Sequence, residues 1–136
     1  MSRAALLGVA GIVLVAVVYG ARLIDPPSVE RLRRFDQRRV EDLGAIKRSV
    51  EIYYVRRGRL PAALAELGEV APAGLAIADP VSHEAYAYSV QREREYTLCA
   101  GFALASGPAP PRSLSDPWLH PSGLQCFPIE VTTKGP

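Results

Sequence analysis

Residues 45–67 read AIKRSVEIYYVRRGRLPAALAEL, and this stretch decides how the rest of the chain folds. Arg56 and Arg57 place positive charge where a helix ends, and Gly58 can adopt the left-handed conformation of a helix cap. Pro61 suits the first turn of a second, short helix. The apolar side of that short helix comprises Leu60, Leu64 and Leu67. The stretch therefore predicts a long helix that ends near Arg57 and a short apolar segment that folds back over its end.

Upstream of this point, apolar residues recur roughly every three to five positions, which predicts a long amphipathic helix with one buried stripe. The stripe comprises Val29, Leu32, Phe35, Val40, Leu43, Ile46, Val50 and Tyr53. Oppositely charged residues stand four positions apart elsewhere on the helix: Glu30 and Arg34, Arg38 and Asp42, and Lys47 and Glu51. Because Glu30, Asp36, Glu41 and Asp42 are interleaved with arginines, we expect a solvated, salt-bridged face there.

Downstream of the short helix the apolar period changes to two, which is typical of strands. The stretches AYAYSV (85–90), EYTLCAGFAL (95–104) and QCFPIEV (125–131) each place apolar side chains on one face. Those side chains are Tyr86, Tyr88, Val90, Tyr96, Leu98, Ala100, Phe102, Leu104, Phe127, Ile129 and Val131. QRER (91–94) predicts a tight hairpin turn, and Pro128 restricts the third strand to a sheet edge. The predicted fold class is α+β, with a long amphipathic helix packed on a small antiparallel sheet.

An uncharged apolar run occupies residues 4–20, and Arg22 follows it closely. About twenty apolar residues span the hydrocarbon core of a bilayer, and a terminal arginine can reach the headgroups. A cleaved signal peptide is the alternative, with Val18 and Gly20 before the cut. We predict a retained transmembrane helix, because the run is longer than a usual signal-peptide core.

Pro26 and Pro27 interrupt the helical pattern after the apolar run, since two consecutive prolines remove two backbone donors. Asp25 or Ser28 can cap the helix that follows. The predicted organisation is a transmembrane anchor at residues 1–24, a proline-containing break at 25–28, an α+β domain at 29–131 and a tail at 132–136.

Two features of the sequence predict opposite orientations of the chain in the membrane: the distribution of basic residues near the apolar run, and the presence of two cysteines. Arg3 precedes the run, whereas the basic residues after it are Arg22, Arg31, Arg33 and Arg34. By the positive-inside rule this distribution keeps the downstream domain in the cytoplasm. Long domains cross membranes largely regardless of charge, however, and a pair of cysteines suits an oxidising compartment. We therefore expect a single-pass protein of the cytoplasmic (inner) membrane whose C-terminal domain is extracytoplasmic.

Cys99 and Cys126 are expected to form a structural disulfide. In the predicted second strand Leu98 and Ala100 face the core, so Cys99 faces away, and the inward-facing neighbours of Cys126 turn it outward in the same manner. If the two strands adjoin, both sulfur atoms lie on the outer side of the sheet and can bond. The alternative is two free buried thiols in a cytoplasmic domain, which the arginine distribution favours.

Three stretches of this chain, taken in order, resemble a known family. They read DLGAIKRSVEIYYVRRGRLPAALAEL (42–67), ADPVSHEAYAYSV (78–90) and EYTLCAGF (95–102). This pattern resembles the type II secretion major pseudopilins and pilin-like periplasmic domains. In those proteins a long helix ends in a Tyr-Tyr, Gly, Leu-Pro passage, and a loop carries Asp-Pro before a Tyr-x-Tyr strand. The resemblance implies a pilin-like fold in a bacterial envelope protein.

The N-terminal residues depart from the pattern of that family. Pilins and pseudopilins are cut after a glycine, which leaves an aromatic residue first and a glutamate fifth. Gly8 and Gly11 do not meet this requirement, since Val13 and Ala16 occupy the fifth positions. With no prepilin cleavage site visible in the sequence, we expect a pilin-like domain on an uncleaved tether.

The charge and the titratable residues indicate little ligand chemistry. A formal net charge of +2 is too balanced to favour nucleic-acid binding. His83 and His120, together with Asp79, Glu84 and Asp116, match no metal-ligand spacing, so we expect both histidines to be solvated loop residues. The resemblance to pseudopilins implies calcium in a C-terminal loop, where Asp116 lies, but one carboxylate cannot hold a hard cation unaided. We therefore predict no metal and no cofactor.

Catalytic patterns are not recognisable in this sequence. It contains no nucleophile–base constellation in a known setting and no glycine-rich phosphate loop, so we expect a protein that is not an enzyme, and the sequence identifies no small-molecule substrate. Five tyrosines fall at helix or strand spacing and are expected to pack in the core or at its rim rather than to form an aromatic binding face: Tyr53, Tyr54, Tyr86, Tyr88 and Tyr96.

These features together predict a membrane-anchored, extracytoplasmic binding or assembly module of the bacterial envelope. Its expected partners are the membrane and other envelope or membrane-complex proteins. Two alternatives remain open at the level of sequence: a non-catalytic accessory subunit that stabilises a larger membrane complex, and a secreted soluble protein released by signal-peptide cleavage.

Overall fold

The computed structural model describes residues 2–22, 26–107 and 117–132. The chain divides into two compact units, Met1–Arg31 and Leu32–Pro136. Its elements in order are helix α1 (Arg3–Arg22), helix α2 (Pro27–Arg57), a 3-10 helix (Leu64–Glu69), and strands β1 (Ala87–Val90), β2 (Glu95–Phe102) and β3 (Gly123–Glu130). The α+β class predicted from the sequence is confirmed.

Helix α1 contains the apolar run predicted as the anchor, and Arg22 is the basic residue of its last turn. The helix is long and apolar enough to cross a membrane. Its large apolar side chains are exposed, among them Val9, Leu14 and Val15. Transfer of such side chains from water into an apolar environment is favourable.

Helix α2 begins at Pro27, a position where proline costs no helical hydrogen bond. The amide N–H of Val29 donates to the carbonyl of Pro26, the residue before the helix, at 2.9 Å. Ser28 lies inside the first turn and does not cap the helix as the sequence suggested, while Asp25, the other cap candidate, lies outside the described residues.

The C-terminal end of helix α2 agrees with the sequence prediction. Arg56 and Arg57 form its basic last turn, and Gly58 has a positive φ of 70°. The Gly58 N–H donates to the Tyr54 carbonyl at 2.8 Å, which satisfies one of the free carbonyls at the helix end.

The segment after Gly58 buries leucines against the core but becomes helical later than predicted. The 3-10 helix begins at Leu64, with Ala63 before it, and Pro61 is buried upstream of it. The Pro61 carbonyl accepts a hydrogen bond of 2.8 Å from the Tyr88 phenol instead of taking part in a helical turn. Leu60, Leu64 and Leu67 are all buried, as their spacing predicts.

The sheet has three antiparallel strands in the order β1-β2-β3. The Gln91 N–H donates to the Glu95 carbonyl at 2.8 Å, which closes the hairpin at residues 91–94. Strand β3 is an edge strand, and its Pro128 stands opposite Thr97. The prediction that Pro128 belongs to an edge strand is therefore confirmed.

The core lies between helix α2, the 3-10 helix and one face of the sheet. Its buried apolar residues are Leu43, Ile46, Val50, Tyr53, Leu60, Leu64, Leu67, Tyr86, Tyr96, Leu98, Ala100, Phe102 and Val131. Two residues predicted to be in the core are exposed: Leu32 on the helix is 40 % exposed, and Val90 at the end of β1 is 46 % exposed. Val90 is the last residue of strand β1.

Candidate functional site

The exposed face of helix α2 carries two apolar side chains that the sequence stripe did not include. Ile52 is 41 % exposed and Val55 is 72 % exposed. Arg48 precedes Ile52 by one helical turn, and Arg56 follows it by one turn, so the four side chains lie on one face of the helix. We call Arg48, Ile52, Val55 and Arg56 the α2 outer patch.

The two arginines of the α2 outer patch differ from the other charged residues around them in their ion pairing. Glu51, which borders the patch, is paired with Lys47 at 2.7 Å. Neither Arg48 nor Arg56 forms an ion pair with any residue in the described part of the chain, and both are exposed. The patch therefore combines apolar surface with uncompensated positive charge.

The opposite side of helix α2 holds a buried polar cluster near the N-terminal end of the second unit. Arg39 is 8 % exposed and lies between two carboxylates. Its guanidinium donates to Asp36 Oδ1 at 2.8 Å and to Asp79 through two hydrogen bonds of 2.5 and 3.1 Å. The ion pair lowers the pKa of Asp79 to about 2, chiefly through the hydrogen bond from Arg39. We call Asp36, Arg39 and Asp79 the Arg39 cluster.

The Arg39 cluster joins the helix to two loops of the second unit. Asp36 accepts hydrogen bonds from the backbone N–H groups of Ala103 and Leu104 at 3.0 and 2.8 Å. Asp79 accepts from the N–H groups of Val81 and Ser82 at 2.8 and 2.9 Å. Each carboxylate therefore satisfies two backbone donors that follow no regular hydrogen-bonding pattern.

One turn further along the helix, Asp42 extends this polar region toward the sheet. The Tyr86 phenol donates to Asp42 Oδ2 at 2.9 Å, and Arg38 lies 3.5 Å from Asp42 Oδ1. Burial and the neighbouring carboxylate together raise the pKa of Tyr86 well above its ordinary value. The phenol therefore remains a hydrogen-bond donor at neutral pH.

The sequence-based interpretation of Asp36 and Asp42 as parts of a solvated face is wrong, because both side chains are buried. Asp36, Arg39 and Asp42 recur three positions apart and align with Leu43 and Ile46 on the buried side. This spacing was the available signal. Their partners lie about forty or more positions away, at Asp79, Tyr86 and Ala103. The residue pattern within helix α2 therefore could not predict these pairs.

The two histidines occupy different environments. His83 is exposed, as predicted, in a turn where its φ is 60°. His120 is 8 % exposed and stacks on Phe102 with ring centroids 3.5 Å apart, so the expectation that it is solvated is wrong. Within residues 2–22, 26–107 and 117–132 no group of three or more His, Cys, Asp or Glu side chains has metal-binding geometry. Asp116, the calcium candidate, lies outside the described residues.

The predicted core tyrosines pack as the sequence suggested. Tyr53, Tyr86 and Tyr96 are buried, and the Tyr53 phenol donates to Glu66. The guanidinium of Arg94 lies over the Tyr54 ring, 5.6 Å from its centroid. The Tyr96 hydroxyl is buried and has no hydrogen-bond partner among the described residues.

Cys99 and Cys126 stand directly opposite each other on β2 and β3. Their sulfur atoms lie 2.12 Å apart, which is disulfide-bonding distance. Leu98 and Ala100, the neighbours of Cys99, are buried in the core, and Cys126 is exposed. Both cysteines therefore lie on the outer side of the sheet, as the strand pattern predicts.

Comparison with known protein families, with curated proteins and with solved structures finds no match to this chain. The architecture itself, a long helix packed on a small antiparallel three-stranded sheet, is compatible with a pilin-like fold.

Proposed function

We propose that this protein is a pilin-like module, anchored in the cytoplasmic membrane of a bacterium, whose folded domain is extracytoplasmic and binds other envelope proteins. The observation that carries the proposal is the combination of two exposed surfaces. Helix α1 exposes apolar side chains over a membrane-spanning length, and the folded unit exposes the α2 outer patch. The first surface suits attachment to a bilayer, and the second suits recognition of a protein.

The cysteine geometry supports an extracytoplasmic location for the folded unit. Cys99 and Cys126 are positioned to bond, and Cys126 is exposed to solvent. Disulfides persist in oxidising compartments such as the bacterial periplasm and are rare in the reducing cytosol. This compartment agrees with the resemblance of residues 42–102 to pilin-like periplasmic domains.

A non-catalytic accessory subunit of a larger membrane complex is the second candidate. At Gly8, Gly11 and Gly20 of helix α1, no atom outside the adjacent residues and the nearby helix backbone lies within 4 Å of the position that a Cβ would occupy. Small residues in a transmembrane helix allow another helix to approach closely. In this case α1, rather than the folded unit, would make the decisive contact.

Thiol labelling tests the location and the redox state together. The full chain, isolated from its native cells without reductant, should label on neither cysteine after denaturation, and should label on both after reduction. Two reactive thiols per chain before reduction would contradict the disulfide and the extracytoplasmic location.

Membrane fractionation tests the anchor. We expect the native chain to stay with the membrane after a carbonate wash and to retain its first twenty or so residues by intact mass, because about twenty apolar residues hold a span in lipid. A soluble form that begins near Ala21 would instead indicate a cleaved signal peptide. Deletion of residues 1–24 serves as the matched soluble control.

A further inference from the structure

The α2 outer patch has a charge pattern that restricts what can cover it. Arg48 and Arg56 lie one turn on either side of Ile52, and Val55 adds the larger part of the exposed apolar surface. The patch runs for about 12 Å along the helix, or roughly two turns. An occupant must therefore offer apolar side chains at its centre and negative charge at both ends.

A second copy of the same patch does not meet this requirement. If two α2 helices pair in parallel about Ile52, Arg48 meets Arg48 and Arg56 meets Arg56. If they pair antiparallel about the same residue, Arg48 meets Arg56. Both directions bring arginines together, and like charges at an interface oppose association.

We propose that the α2 outer patch docks an acidic amphipathic helix of a partner protein. The partner helix would place two apolar side chains against Ile52 and Val55, and a carboxylate against each of Arg48 and Arg56. An arginine can bind a carboxylate through two parallel hydrogen bonds, which fixes the register of the helix as well as its charge. The inference rests on the proposed function and specifies the class of partner that the module binds.

The arrangement of the patch favours a helix over an extended strand as the occupant. Its positions form a stripe along one face of α2, with Ile52 four residues from each arginine and three from Val55, and such spacings match those of side chains on a second helix packed alongside. Lys47 and Glu51 neutralise each other at the border, so the net charge of the patch comes from Arg48 and Arg56 at its two ends.

Site-specific photo-cross-linking tests this inference on the full chain in the membranes of its native cells. A photoreactive amino acid replaces Val55 within the patch, and the matched control replaces Val90, which is exposed at the end of β1. We expect Val55 adducts to join a segment of another protein, identified by mass spectrometry, in which acidic residues flank two apolar residues at helical spacing.

Charge substitution supplies the second measurement. In the Val55 cross-linking background, Arg48→Glu with Arg56→Glu should reduce the adduct by about tenfold or more, because two charge-assisted contacts become repulsive. Arg92→Glu is the matched control, since Arg92 is exposed on the hairpin, and it should leave the yield unchanged. Arg48→Gln with Arg56→Gln removes the charge without reversing it and should give an intermediate yield. This variant supplies the measurement if the charge-reversed variant folds poorly.

The outcomes separate this inference from the proposed function. Val55 adducts with lipid, with another copy of the chain or with a segment that lacks acidic residues would overturn the inference. An adduct yield that changes in neither double variant, with glutamate or with glutamine at Arg48 and Arg56, would also overturn it. The same photoreactive amino acid is also placed at Val81 and at Leu124, which are both exposed. Protein adducts from Val81, Val90 or Leu124 without any from Val55 would exclude the α2 outer patch but leave the binding module intact. If none of these exposed positions gives a protein adduct, both proposals fail.

Discussion

The buried side of helix α2 has two halves that are held in different ways. Toward its C-terminal end Leu43, Ile46 and Val50 are completely buried in the apolar core. Toward its N-terminal end Asp36 and Arg39 are almost as deeply buried but are held by hydrogen bonds and ion pairs. The apolar half needs only a neighbouring surface that excludes water, whereas the polar half needs specific partners at defined distances.

This difference teaches that burial alone does not report how a residue stabilises the fold. A buried ion pair contributes little net stability compared with apolar residues of similar volume, but the loss of one partner leaves a costly unpaired charge. The apolar half should therefore tolerate a change of apolar shape, and the polar half should tolerate removal of the complete cluster better than removal of one member.

The largest effect is expected from placing a charge in the apolar half. Ile46→Asp buries an unpaired carboxylate beneath the sheet and should lower the free energy of unfolding by about 4–5 kcal/mol or more, enough to unfold a domain of this size. Urea or thermal unfolding of the full chain in detergent measures this. Ile52→Asp on the exposed face is the matched control and should change stability little. An unchanged midpoint for Ile46→Asp would show that the stripe is not core.

Removal of Arg39 tests the polar half. Arg39→Met leaves Asp36 and Asp79 buried without their counter-charge and should lower the free energy of unfolding by about 3–5 kcal/mol. The triple variant with Asp36→Asn and Asp79→Asn should recover part of this loss, because each amide oxygen can still accept the backbone hydrogen bonds. The distinction between the halves fails if Arg39→Met costs no more than Arg92→Met, made at an exposed arginine.

The pH dependence of stability gives a finer measure of the same cluster. The pKa of Asp79 is about 2 in the folded protein, below its ordinary value of 3.8. Its contribution is therefore present above pH 4 and is lost as the pH falls toward 2, a change of about 2 kcal/mol. Asp79→Asn should remove this part of the pH dependence. Parallel curves of stability against pH for the two proteins between pH 5 and roughly pH 2 would contradict the assignment.

The smallest effect is expected from two matched tyrosine substitutions. Tyr86→Phe removes the hydrogen bond to Asp42 and leaves that carboxylate with one acceptor site unfilled, at a cost of about 1–2 kcal/mol. Tyr96→Phe removes a buried hydroxyl that has no partner among the described residues, so its stability should be equal or slightly higher. Equal losses in the two variants would mean that the Tyr86 hydrogen bond contributes nothing specific.

Local patterns in the sequence were sufficient to predict most of the secondary structure. The arginines before Gly58 located the end of helix α2, and the period of two in residues 95–102 located β2 with its buried face. Cys99 and Cys126 were placed on the outer side of the sheet by the same alternation. These features depend on neighbours in the chain and on water exclusion, so the sequence reports them directly.

The candidate site was less accessible to sequence reasoning. Ile52 and Val55 fall outside the stripe that faces the core, so the pattern left them without a role. Their significance depends on whether another part of the chain covers them, and helical periodicity cannot answer that question. The folded unit leaves them exposed between two arginines that have no ion-pair partner in its described residues.

The sequence by itself thus determined the membrane-length apolar helix, the α+β class, the helix end at Arg57 and the outward direction of the cysteines. Tertiary structure alone decided that Asp36, Arg39 and Asp42 are buried, that His120 stacks on Phe102, and that the 3-10 helix starts at Leu64. The physical reason is how far apart in the sequence the interacting residues lie. Apolar periodicity reflects the average contrast between water and core, whereas a buried charge is stable only beside a partner such as Asp79, which lies 40 positions from Arg39.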